Sequence, residues 1–173
     1  MRLLPAFFVF FIVASPFYAL AFEESSGEAT MTITDYIQDY VDVPEGAVDW
    51  KVFGTTTETE AHARTEDGYD NQYSKPNFQP EVKALDGKEI MVKGYMFPLD
   101  GTEEQKLFLF GPFPLTCPFQ YHVGPPLVIE VHADKHPVKF DYEPVVITGT
   151  LEVVPDDPEY SVFYRLKDAR QVK

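Results

Sequence analysis

Two glycines set inside otherwise regular strand patterns constrain this chain more than any other feature. In residues 88–99 (KEIMVKGYMFPL), Ile90, Val92 and Met96 alternate with Met91, Lys93, Tyr95 and Phe97, and Gly94 interrupts the apolar row. Residues 144–153 (PVVITGTLEV) carry Gly149 in the same way. A glycine weakens a strand and offers no side chain to pack, so its place there marks a bulge or a tight bend, as at a barrel corner. Three more stretches have a period of two. They are residues 106–110 (KLFLF), residues 127–132 (LVIEVH) and residues 160–166 (YSVFYRL), the last followed by a charged tail. In the second of these, Leu127, Ile129 and Val131 face inward and Glu130 and His132 outward. Five short strands, two of them bent, predict a mostly β fold, a five-stranded OB-like small barrel over residues 81–173. A β-sandwich fits less well, because it takes roughly seven strands or more.

Residues 22–80 read as an N-terminal extension to that barrel. Ile33, Tyr36, Ile37, Tyr40 and Val41 recur at offsets of three and four, the spacing of one face of a short helix that starts near Thr32 or Thr34. Pro44 and Gly46 end it, and Trp50, Val52 and Phe53 then form an apolar knot closed by Gly54. Residues 55–76 (TTTETEAHARTEDGYDNQYSKP) contain no aliphatic residue larger than alanine. Such a stretch buries too little surface to offset its ordering entropy, which predicts a long, mobile polar loop with Tyr69 and Tyr73 as its docking residues.

The first 21 residues have the features of a secretory signal peptide. Arg2 precedes an apolar run over residues 3–13, and Pro16 precedes the small-x-small site Ala19-Leu20-Ala21. The expectation is cleavage after Ala21 and a periplasmic protein with no transmembrane segment in its mature form. The chain has 28 acidic against 14 basic residues, a net charge of −14. That balance argues against nucleic acid and anionic lipid as partners, and it suits a soluble envelope protein or a cationic partner. Cys117 is the single cysteine. In an oxidising compartment it has no internal disulfide partner, so the core alone must hold the fold.

Between the second and third strands, residues 111–126 (GPFPLTCPFQYHVGPP) hold five prolines, Cys117 and His122. A backbone stiffened in this way loses little entropy on holding a partner, which makes Phe119, Tyr121, Pro125 and Pro126 candidate partner-binding residues. A loop that merely crosses the barrel end is the plainer alternative. Thiolate and imidazole favour zinc or copper over hard cations, so Cys117, His122 and His132 form a candidate metal set, zinc above all, with His136 nearby. Scattered surface histidines and a buried, inert thiol account for the same residues. A thiol-dependent enzyme would need Cys117 beside His122 or His132, with Asp141 or Glu143 as the orienting group. No nucleophile elbow, phosphate loop or dinucleotide fingerprint occurs, so a catalytic role is not expected.

Several of these segments resemble an uncharacterised family of bacterial envelope proteins with a small OB-like domain. The likeness rests on Phe78-x-Pro80-x-Val82, Leu85-Asp86-Gly87-Lys88 and Gly94-Tyr95-Met96-x-Pro98-Leu99. It continues through Phe108-Leu109-Phe110, the Cys117 loop with His122, Pro125-Pro126 and residues 146–151. It covers residues 78–151, with a looser likeness around Trp50. Members of that family are often secreted or lipid-anchored, and some accompany envelope transport systems, including zinc-responsive ones. The resemblance therefore implies an accessory or binding role, without an established reaction.

Overall fold

The structure, a computed structural model, describes residues 32–115 and 123–172. Nine strands are present among them: β1 (Thr57–Arg64), β2 (Asp70–Asn77), β3 (Glu89–Pro98), β4 (Glu104–Gln105), β5 (Leu107–Gly111), β6 (Ile129–His132), β7 (Val138–Lys139), β8 (Val145–Val153) and β9 (Tyr164–Val172). Two single-turn helices, α1 (Trp50–Phe53) and α2 (Pro80–Lys83), and two 3-10 turns, Ile33–Asp39 and Pro125–Leu127, complete the chain. Among the described residues no helix is long and apolar enough to cross a membrane.

Five strands close into a barrel in the order β3–β5–β6–β9–β8, with β8 pairing back onto β3. Neighbours are antiparallel except β6 and β9, which run parallel. One parallel contact between the third and fifth barrel strands is the Greek-key arrangement of an OB-fold, so the expected fold class is the observed one. The alternation in the sequence does what the pleat requires. Ile90, Val92, Met96, Phe108, Phe110, Ile129, Val131, Ile147, Leu151 and Leu166 are all buried and form one core.

The two glycines act at the closure of the barrel. Gly94 is the last residue of β3 paired with β8, opposite Val145, and Tyr95 begins the pairing with β5. A Cβ at Gly94 would stand 2.6 Å from the Gly111 carbonyl oxygen and 3.1 Å from Trp50. The corner therefore depends on a residue without a side chain. Gly149 lies at the register shift between Thr148 and Thr150, a β-bulge opposite β9, where Asp168 takes φ 50.

The extension belongs to the same core. The Ile33–Asp39 turn starts at Thr32, one of the two starts its sequence offers, and buries Ile37. In α1, capped by Asp49, both Trp50 and Phe53 are buried. Trp50 Nε1 donates to the Lys93 carbonyl at 2.6 Å, and its ring lies 6.0 Å from Phe110. Phe53 meets Tyr164 edge-on at 5.0 Å, and Phe78 continues the aromatic cluster to Phe163.

Two segments differ from their sequence expectation. Residues 55–76, read as a mobile loop, hold a β1–β2 hairpin whose register runs unbroken from Thr57↔Asn77 to Arg64↔Asp70. Composition measures apolar burial, whereas this hairpin is held by its own ladder and by polar contacts to the β8–β9 loop. Its turn is set by Gly68 at φ +86 and by Thr65, whose hydroxyl accepts from the Tyr69 amide at 3.0 Å. The last strand is also displaced. The period-two pattern placed it at residues 160–166 with a charged tail beyond, but β9 runs Tyr164–Val172 and takes in that tail. Ladder bonds to β8 are indifferent to exposed charge, and Tyr164, Leu166 and Ala169 still supply its buried face.

Candidate functional site

Because Phe108, Phe110, Ile129 and Val131 point into the barrel, Leu107, Leu109, Val128 and Glu130 emerge on the outer face of β5 and β6. They line a groove of about 560 Å³ whose wall is Tyr160, Ser161, Val162 and Phe163 from the β8–β9 loop. Leu99, Val123 and Pro125 complete its rim. Leu99 is 54% exposed, Leu107 40% and Tyr160 71%, an unusual grouping of large apolar side chains in water. Leu99 leads into a turn fastened by buried Gln105, whose amide nitrogen donates to Asp100 Oδ1 at 3.0 Å and to the Thr102 carbonyl at 2.5 Å.

A line of charges runs behind the groove. Glu130 Oε1 accepts from Arg165 Nε at 2.9 Å and lies 2.7 Å from His132 Nε2. Arg165 Nη2 reaches Asp157 Oδ2 at 2.8 Å. Asp157 is 9% exposed, and its other oxygen accepts from the backbone amides of Glu159 and Tyr160 at 3.2 Å each. One carboxylate thus anchors the guanidinium and holds the loop that forms the groove wall.

The wall is also held from the hairpin. Ser161 takes φ 56, a left-handed conformation uncommon outside glycine. Its hydroxyl accepts from the Ser74 amide at 3.0 Å. Tyr73 donates its hydroxyl to Asp156 at 2.8 Å, Asn71 donates to the Pro158 carbonyl at 2.6 Å, and Lys75 lies 3.4 Å from Asp156. The Tyr73 hydroxyl, and after it the charge of Lys75, holds the Asp156 carboxyl below its ordinary value of 3.8. Glu58 of β1 lies beside Gly124, where an added Cβ would stand 3.5 Å from its Oε1. The hairpin therefore touches both ends of the groove's border.

Of the candidate site residues, Cys117, Phe119, Tyr121 and His122 lie outside the described residues. Pro125 and Pro126 form the Pro125–Leu127 turn, and Pro125 lines the groove. His132 faces outward on β6, as expected, and is engaged with Glu130. His136 is exposed in a turn, its amide bonded to the Ala133 carbonyl. Asp141 accepts from the Glu143 amide within its own turn. Among the described residues no three histidine, cysteine or acidic side chains gather as a metal site. The groove residues on β5 and the β8–β9 loop were not singled out in the sequence. Their one signal is the pair Leu107 and Leu109 on the outward phase of an apolar strand.

Over residues 28–172 the chain matches the family described as Protein of unknown function (DUF3299). It belongs to this family. A solved DUF3299 family protein from Pseudomonas aeruginosa PAO1 is similar at 28% identity, over 54% of this chain and 67% of that one, with a TM-score of 0.42. No curated protein matches significantly. DUF3299 membership agrees with the resemblance to an uncharacterised family, and it carries no reaction with it.

Proposed function

We propose that this protein is an exported envelope protein with a binding or accessory role, and that it engages its partner through the groove on the outer face of β5 and β6. The observation that carries this reading is the exposed apolar lining of Leu99, Leu107 and Tyr160 around a groove with a braced wall. Exposed apolar side chains are common singly, but a contiguous lining in a concave site is the usual form of a recognition surface. A rigid wall favours binding, since little loop entropy is lost on contact. The leader-like residues 1–21 and the acidic balance support export as a soluble protein.

The test starts with protein recovered from the periplasmic fraction, where the mature N-terminus is expected at Phe22. Nile red, a neutral solvatochromic dye, should bind with a blue shift, and Leu109→Asp, checked for folding by circular dichroism, should abolish that shift. A folded Leu109→Asp variant that binds the dye as well as the parent would remove the groove from consideration.

A further inference from the structure

We infer that the groove receives an extended peptide segment of a partner protein, with alternate apolar side chains and one basic side chain set against Glu130. This rests on the binding role proposed above. Leu107 and Leu109 are alternate residues of one strand, so their side chains repeat at about 6.6 Å, the repeat of an extended peptide lying alongside. Across the ladder Leu109 stands opposite Glu130 and Leu107 opposite His132. A single strand-like segment thus meets an apolar row and an acidic position in one register.

Charge selects among apolar occupants. Glu130 Oε1 is shared by Arg165 and His132, while Oε2 has no hydrogen bond among the described residues. Glu130 and Asp157 set two carboxylates against one guanidinium, Arg165, and the whole chain carries −14. An anionic acyl chain, or a second copy of this protein, would be repelled. A lysine or arginine on an apolar strand finds its acceptor at Oε2. Leu99 and Tyr160 stay 54% and 71% exposed at the rim, a surface that a chain segment covers and a small enclosed ligand leaves open.

The probes are three labelled peptides, blocked at both ends, with leucine at alternate positions and lysine, norleucine or glutamate at the central inward position. Fluorescence anisotropy should rank the lysine peptide first, about tenfold tighter than the glutamate peptide, with the gap narrowing as salt rises. Glu130→Gln should bring the lysine and norleucine peptides together. Leu107→Lys, a change at an exposed position, should reverse the order in favour of glutamate. Equal affinity for the lysine and glutamate peptides overturns the inference. So does failure of all three peptides on protein that still binds Nile red through Leu109, an outcome that leaves the groove as a binding site. Loss of dye binding as well removes both readings.

Discussion

At the scale of single residues, the fold turns on places where a side chain is forbidden or buried polarity is satisfied. Gly94 is the sharper case. Its missing Cβ is the space in which the Gly111 carbonyl and the Trp50 ring come together. Neither neighbour can yield cheaply, because one is backbone in β5 and the other a buried indole fixed by its hydrogen bond to Lys93. Gly94→Ala should therefore destabilise the protein by about 2–3 kcal/mol, at the upper end of overpacking costs. A urea melt with unchanged slope would show this as a lowered midpoint, and a loss below about 0.5 kcal/mol would contradict the close approach. This glycine was legible in the sequence as a corner. The partner that makes it obligatory was not, since Trp50 lies forty-odd positions earlier in an extension with no visible tie to β3.

At the scale of elements, the β1–β2 hairpin is the instructive one. It has almost no apolar side chains to bury, and its order comes from a full ladder and from Asn71, Tyr73, Ser74 and Lys75 reaching the β8–β9 loop. Asp156 receives two of these contacts and titrates below 3.8 in the folded protein. A carboxyl with a depressed folded value stabilises the docked state above its unfolded value and loses that contribution as pH falls through the folded one. Acidification below about pH 3.8 should thus free the hairpin before the barrel. Hydrogen exchange would register this as early loss of protection over residues 57–77, and Asp156→Ala should raise exchange there at neutral pH. Equal protection of hairpin and barrel in acid would sink the idea. The sequence pointed to Tyr73 as a docking residue, but it carried no sign of what Asp156 and Asp157 hold. Their partners, Tyr73 and Arg165, sit on elements that only the folded chain brings to that loop.

At the scale of the whole molecule, an aromatic cluster ties the N-terminal extension to the core of the barrel. Tyr164 is at its centre, in ring contact with Phe53, Phe78 and Phe163. Its hydroxyl is 2.6 Å from Thr56 Oγ1 and donates to the Phe53 carbonyl at 3.3 Å. Burial pushes its pKa from 10.0 up to about 12, against the smaller lowering by the Thr56 hydrogen bond. A raised folded value means that the stabilisation is complete below pH 10 and is lost as pH climbs from 10 towards 12. The amount at stake is of order 2–3 kcal/mol. Thermal melts across that window should fall more steeply for the parent than for Tyr164→Phe, even though the variant starts lower after losing its Thr56 partner. Parallel profiles would show that the phenol is solvated.

Local sequence pattern set out four of the barrel strands, the inward phase of residues 127–132, and the two glycine corners. These are local properties: a pleat has a period of two, and a missing side chain is visible in one dimension. It also set Glu130 and His132 on the outward phase of β6. Only the tertiary structure decided that residues 57–77 form a hairpin, that the last strand runs to Val172, and that Leu99, Leu107, Leu109 and Tyr160 border one groove. Those outcomes depend on which backbone finds a partner and which exposed side chains meet across the barrel. Such encounters are set by closure of the sheet, which no local pattern encodes.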